Sequence, residues 1–369
     1  VLVITWRGAP GISVAGVNDT MRLTRRIVAV TAAVAVIGGG ITAWAVTDTG
    51  SGARPPGGST AALARGSSAP AARPRPSISP AGPLIQVTGA PRGVKAKGAI
   101  LADAATGQVL WGRGMTTERP MASVTKVMTA LVVLESGNLD QEVRVPKAAF
   151  TYVWKYGGES AALHPGDMLT TQELLEALLL PSGADAAYTL ANAYGPGLTA
   201  FIARLNATAA RMGLTHTHFT SPDGLPYPTE TSTYSTPSDL LTLGLAAMRY
   251  PAFRAIVDQR FYHLPKGKGH HQYWWDNTNE LIGYYPGAAG IKTGYTDDAG
   301  HCLLFEAARN GRTLIGVVLD SPATGTAAGA QDATRMLNWG FTLKQPKQPA
   351  SSPSPSVSAS PASSAPGST

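Results

Sequence analysis

Two long stretches of this chain cannot supply a hydrophobic core, and they confine any globular fold to the residues between them. Residues 47–83 are rich in Gly, Ser, Ala and Pro and hold no aromatic residue, and residues 345–369 are Ser/Pro/Ala repeats. Neither buries enough apolar surface to offset the entropy of ordering, so we read 47–83 as a flexible linker and 345–369 as a disordered tail. That leaves 84–344, roughly 260 residues, as one folded unit with ample core.

The same division disposes of the charge. The chain carries 30 Lys+Arg against 23 Asp+Glu, a formal net charge of +7. Residues 1–83 hold eight arginines against two aspartates, and Lys347 lies in the tail, so the residues between are neutral overall. A basic surface for nucleic acid therefore loses its support, and no nucleic-acid partner is expected. A single cysteine excludes an intrachain disulfide framework and a Cys-rich zinc site.

Ile27 to Val46 is a run of 20 residues without a charge. At about 1.5 Å per helical residue it matches the thickness of a bilayer core. Arg22, Arg25 and Arg26 stand directly before it, so the chain after Val46 is expected outside the cytoplasm. Residues 21–46 read equally as a signal anchor in the cell membrane or as a cleaved signal peptide, because Ala43-Trp44-Ala45 fits a small-x-small cleavage site. The expected place is the extracytoplasmic face of the membrane, or the cell wall if the signal is removed. Met21 opens a natural basic leader, and we expect translation to start there, with 1–20 outside the natural protein.

Within 84–344 the hydrophobic period alternates between strand and helix. Gly98 to Trp111 reads as a β-hairpin around Ala105-Thr106-Gly107. Ser123 to Glu135 reads as a helix stopped by Gly137, and Thr170-x-x-Glu173 is a capping box opening a helix over 171–180 that Pro181 ends. Further helices are predicted over 185–194, 198–212, 237–249 and 331–339. Strands are predicted at 291–293, 302–307 and 313–319, with Asn310-Gly311 as a tight turn between the last two. Strands at both ends and helices between them imply an α+β domain whose antiparallel sheet joins the N- and C-terminal segments.

Three short motifs carry chemistry. In Ser123-Val124-Thr125-Lys126 the serine and lysine are three apart at a helix start, which puts the ammonium within reach of the serine oxygen. Serine needs a base to become a nucleophile, and a lysine crowded by Val124, Val127 and Met128 is placed to lose its proton. Ser182-Gly183-Ala184 sits in a break between two helices, where a serine can equally act as an N-cap. Lys292-Thr293-Gly294 lies on a strand, where charge and hydroxyl suit a carboxylate. Gly294 removes a side chain where another backbone must approach, as in strand addition by a peptide.

In this order and context the three motifs resemble those of penicillin-binding proteins and serine β-lactamases. The neighbouring text is similar to one family, the low-molecular-mass D-alanyl-D-alanine carboxypeptidases or S11 serine peptidases. The resemblance is carried by Pro120 to Ala130, Asp103 to Gly107, His164-Pro165-Gly166-Asp167, Gly290 to Thr296 and Ala299-Gly300. It implies a β-lactamase-like α+β fold and removal of the terminal D-alanine from peptidoglycan stem peptides, with β-lactams as inhibitors and no cofactor or metal. By the same resemblance Ser123 is the acylated nucleophile, Lys126 its base and Ser182 the proton relay to the leaving D-alanine. Lys292 and Thr293 hold the terminal carboxylate, and the backbone N–H groups of Ser123 and Tyr295 form the oxyanion hole.

The middle motif usually ends in Asn, where this chain has Ala184. The lost amide is worth roughly 1–3 kcal/mol. Two other functions therefore stay open. One is a serine β-lactamase, against which stands the lack of a deacylating glutamate motif between Ser182 and Lys292, where only Glu230 and Glu280 occur. The other is a catalytically weak wall-binding or β-lactam-sensing module. The small β-domain that often follows the catalytic part in this family is not expected, since Lys344 leads straight into the tail.

The remaining chemistry reads blandly. Neither His216-x-His218 nor His270-His271 has metal-site spacing, and Cys302 in an apolar strand reads as a buried hydrophobe. Trp274, Trp275, Tyr152, Trp154 and Tyr156 suit packing as well as a groove, and Asp276 to Asn279 reads as a turn.

Overall fold

A computed structural model describes residues 89–322 and 327–344. The expectations for 1–20, 21–46, 47–83 and 345–369 lie outside the described residues. Among the described residues no single helix is long and apolar enough to cross a membrane.

The chain opens with the hairpin β1 (Gly98–Asp103) and β2 (Val109–Arg113) and a short β3 (Arg119–Pro120). A helical section follows: α1 (Lys126–Glu135), β4 (Glu142–Arg144), α2 (Lys147–Tyr156), β5 (Met168–Thr170), α3 (Thr171–Leu179), α4 (Ala184–Tyr194), α5 (Leu198–Arg211), β6 (Tyr234–Ser235), α6 (Pro237–Ala247) and α7 (Pro251–Val257). The hairpin β7 (Phe261–Leu264) and β8 (Tyr273–Asp276) leads to β9 (Ala288–Thr296), β10 (Gly300–Arg309), β11 (Arg312–Ser321) and the closing α8 (Ala328–Thr342).

The main sheet has the order β2-β1-β11-β10-β9 and every pairing in it is antiparallel. The α+β class and the union of the two chain ends follow as the sequence predicts. Gly98 to Asp103 face Leu319 to Leu314 in register, so the first strand is zipped to the last. The β10–β11 turn is made by Asn310 at φ 50° and Gly311 at φ 73°, the left-handed pair that a two-residue hairpin requires.

Side chains alternate across the sheet and both faces are covered. Ile100, Ala102, Leu304, Ile315, Val317 and Leu319 point into the core shared with the helical section. Leu101, Leu303, Phe305, Leu314 and Val318 pack with Ala333, Met336 and Leu337 of α8. A strand buried on both faces reads as a continuous apolar run, which Leu314 to Leu319 is.

Helix boundaries follow their caps. Thr170 and Glu173 form the full capping box of α3, and Thr236 caps α6 through Asp239 N, with Pro237 in the first turn. The structure adds α2, α7 and the β7–β8 hairpin, which were not predicted, extends the predicted 331–339 helix to Ala328–Thr342, and changes the boundary that matters for the site. The predicted helix over 123–135 begins as a 3-10 turn, Ala122–Thr125, and becomes α-helical only at Lys126. Residues i and i+3 eclipse in a 3-10 turn, so the tighter winding brings Ser123 and Lys126 together.

Candidate active site

The nucleophile turn is wedged between the edge of the sheet and a buried loop. Ala122 adopts φ 47°, a left-handed conformation unusual for a residue with a Cβ, and it aims Ser123 outward while Val124 and Thr125 are buried. From the sheet side, a Cβ on Gly294 would meet Met121 O at 2.8 Å and Ser123 N at 3.0 Å. This corrects the reading of Gly294 as an opening for an added peptide strand. The backbone that approaches it is the chain's own nucleophile turn. From the other side, Gly224 at φ 85° packs against the Ala122 carbonyl, and Thr129 Oγ1 donates to Pro222 O at 2.5 Å.

Lys126 is 2% exposed, and its Nζ donates to Ser123 Oγ at 2.9 Å and to the Asp223 carbonyl at 3.0 Å. Burial lowers its pKa to about 8, against the opposing pull of the Asp223, Asp185 and Glu159 carboxylates. With that pKa about a tenth of the lysines are neutral at pH 7, against fewer than one in a thousand at the ordinary lysine value, which gives serine a usable base.

Lys292 is 1% exposed. Burial first, and the charge of Lys126 second, hold it well below the ordinary lysine range. Its Nζ donates to Thr293 O at 3.2 Å and to Thr293 Oγ1 at 3.4 Å. Lys292 therefore stands behind Thr293, which itself lines a groove of about 440 Å³ together with Ser123, Ser182, Gly294 and Tyr295. β9 ends the sheet order, so the groove runs along the sheet's rim.

Ser182 sits at φ 67° and is 3% exposed, and its Oγ has no hydrogen-bond partner among the described residues. The N-cap alternative fails, because Gly183 holds that position and α4 starts at Ala184. The left-handed backbone and the unpartnered hydroxyl single out Ser182 as a candidate site residue. Ala184 is fully buried, and its N–H donates to Glu159 O at 2.8 Å.

The structure brings together Ser123, Lys126, Ser182, Lys292, Thr293, Gly294 and Tyr295, all expected from sequence. It adds residues that sequence reasoning passed over. Asp223 and Gly224 clamp the nucleophile turn. Asp185, 3% exposed, accepts from Ala161 N, Leu163 N and Ser160 Oγ, tying the loop before β5 to the start of α4. The turn at 276–279 is not idle: Thr278 Oγ1 lies 2.7 Å from Thr293 Oγ1, and Asn279 also lines the groove. Glu159 lines it from the opposite wall.

The bland readings divide. Burial pushes the Cys302 thiol up to about 12, which removes it as a nucleophile. Among the described residues no His/Cys/Asp/Glu group is arranged to hold a metal. Trp275 is buried with Nε1 donating to Ala161 O, and Tyr152 packs against Tyr156 and Tyr188, whereas Trp154 and Trp274 are exposed.

A groove-lining serine bonded to a buried lysine at the edge of an antiparallel sheet, with a second serine from an inter-helix loop and a Lys-Thr-Gly strand, defines a serine acyl-transfer enzyme of the penicillin-binding class. The chain belongs to the S11 peptidase family, whose model, described as D-alanyl-D-alanine carboxypeptidase, matches residues 85–323. It is 40% identical over 262 residues to a D-alanyl-D-alanine carboxypeptidase of Streptomyces sp. strain K15, covering 68% of this chain and 88% of that protein. It is 30% identical to a D-alanyl-D-alanine endopeptidase of Escherichia coli K12, covering 68% and 79%. The crystal structure of the Streptomyces K15 DD-transpeptidase superposes with a TM-score of 0.64 at 39% identity, covering 68% of this chain and 98% of that one. A D-alanyl-D-alanine carboxypeptidase structure from Mycobacterium tuberculosis H37Rv gives 0.62 at 36% identity, covering 73% and 97%.

Proposed function

We propose that this protein is a serine-type D-alanyl-D-alanine carboxypeptidase acting on peptidoglycan stem peptides through an acyl-enzyme on Ser123. The observation that carries the reading is the 2.9 Å contact between Ser123 Oγ and the buried Lys126 Nζ, whose pKa lies at about 8. Neutral Lys126 takes the Ser123 proton as Oγ attacks the carbonyl between the two D-alanines. That proton passes by way of Ser182 to the departing amine, which leaves as D-alanine. Thr293, with Thr278 beside it and Lys292 behind it, receives the terminal carboxylate. The N–H groups of Ser123 and Tyr295 face the developing oxyanion.

A β-lactam amide occupies the same place and acylates the same serine. Labelled penicillin bound covalently by the wild type and not by Ser123→Ala, together with D-alanine release from a Lys-D-Ala-D-Ala peptide, tests the reading. Rapid turnover of a chromogenic cephalosporin would instead favour a β-lactamase. Stem-peptide binding without serine-dependent turnover would favour a sensing module.

The place of action is part of the proposal. The apolar run 27–46 and the arginines before it support an enzyme delivered across the cell membrane, with 47–83 as its tether. An alkaline carbonate wash of membranes separates the two forms of delivery. Retention in the pellet indicates an anchor, and release of a shortened chain indicates a cleaved signal.

A further inference from the structure

The groove holds an acidic side chain for which acylation has no task. Glu159 is exposed, and it lines the same groove as Ser123 and Ser182. Its backbone is anchored at its carbonyl and at the residue that follows. Its carbonyl accepts from Ala184 N at 2.8 Å, and the next residue, Ser160, donates through Oγ to the buried Asp185 Oδ2 at 2.7 Å. Asp185 also accepts from Ala161 N at 2.9 Å and Leu163 N at 3.0 Å, so the segment cannot drift from the Ser182 loop.

Among the described residues the carboxylate has no hydrogen bond or ion pair, and the methyl of Ala184 cannot supply one. Its field reaches both buried lysines, raising the pKa of Lys126 and of Lys292. The other groove glutamate, Glu280, lies past Asn279 on the Thr293 side and acts on neither lysine. Glu230 and Glu280 are the only glutamates between Ser182 and Lys292, whereas Glu159 reaches the groove from upstream of Ser182.

An ester on Ser123 is hydrolysed only when a base takes a proton from the attacking water. Lys126 Nζ is buried and already shared between Ser123 Oγ and the Asp223 carbonyl. Glu159 stands in open solvent, where that water must enter.

We propose that Glu159 is the general base of deacylation, an inference that rests on the acyl-serine reading above. The carboxylate takes one proton from water, and the water oxygen bonds to the ester carbonyl carbon. The tetrahedral intermediate then breaks its bond to Ser123 Oγ. The proton on Glu159 passes through the amine of Lys126 to Ser123 Oγ, which restores all three groups and frees the peptide as its carboxylic acid. In this scheme Glu159 selects hydrolysis over transfer to an amine.

The test follows the acyl-enzyme in the full-length wild type, Glu159→Gln and Glu159→Asp. Labelled penicillin reports formation and decay. Lys-D-Ala-D-Ala with added glycine reports how the peptidyl-enzyme divides between hydrolysis and transfer. A positioned base contributes about 10²- to 10⁴-fold. We therefore expect Glu159→Gln to form the acyl-enzyme while its decay slows by about 100-fold or more and the transferred share rises. Glu159→Asp should fall between. Decay slowed less than tenfold, or formation and decay falling together, overturns the assignment. A wild type that takes no label overturns the acyl-serine reading and this inference with it.

Discussion

On the proposed mechanism, the protonation of Lys126 sets when the site is active. With a pKa of about 8 set chiefly by burial, its neutral form is the minority at pH 6 and the majority at pH 9. Acylation of Ser123 should therefore rise with pH along a single limb with a midpoint near 8. Stopped-flow labelling across that range checks it, and Lys126→Arg, which cannot lose its proton, should abolish the limb along with the activity. Gly294 gives a second test at this scale. Gly294→Ala forces a Cβ to within 2.8 Å of Met121 O and 3.0 Å of Ser123 N. The nucleophile must shift, and a displacement approaching 1 Å costs on the order of 100-fold in rate. Acylation should fall by about that factor while the far-ultraviolet circular dichroism stays native. The sequence named both residues, because a Ser-x-x-Lys turn and a Lys-Thr-Gly strand are local patterns. It gave the wrong reason for Gly294, since the backbone that approaches it lies more than 170 residues earlier in the chain.

At the scale of elements, the helices and strands were legible wherever a local device marks them. The Thr170–Glu173 box, the Thr236-Pro237 start and the Asn310-Gly311 turn all formed as read. The tight turn at Ala122–Thr125 was not, because its cause is compression between β9 and the 222–224 loop rather than propensity. Asp185 and Glu159 were missed for a similar reason: Asp185 and Ala184 hold the loop before β5 through contacts that have no fixed spacing to find. α3 supplies a stability test. Glu176 is 1% exposed, and burial raises its pKa to about 7, eased by a hydrogen bond from Gln259. Its folded pKa lies above its unfolded one, so its stabilising effect is present below about pH 4.5 and is lost as pH rises through 7. Glu176→Gln keeps a polar partner for Gln259 without the buried charge. It should raise the melting temperature at pH 8, by a margin set by up to about 3 kcal/mol, and change it little at pH 4. Thermal melts at the two pH values check this.

For the whole molecule, the sheet joins the two ends of the folded segment, and the helical section between them carries Lys126 and Ser182 to the rim where β9 ends the sheet. That architecture was legible from the order of elements alone, since strands at both ends of one segment can share a sheet only if the helices loop out between them. The net charge was legible too. Its excess lies in residues 1–83 and 345–369, and residues 84–344 are neutral overall. Electrostatics at the site are therefore local, set by two buried lysines and the carboxylates around them. The groove wall opposite β9 was not legible, because it is assembled from 158–163 and 182–184 through Asp185.

The central claim is that Ser123 forms the covalent intermediate with Lys126 as its base. Intact-mass spectrometry of the protein after brief exposure to benzylpenicillin, followed by peptide mapping, tests it most directly. The account predicts the addition of one penicillin per chain, mapped to Ser123, absent from Ser123→Ala and strongly reduced in Lys126→Ala. A full adduct in Ser123→Ala, or an adduct mapped to any other residue of the wild type, would contradict it.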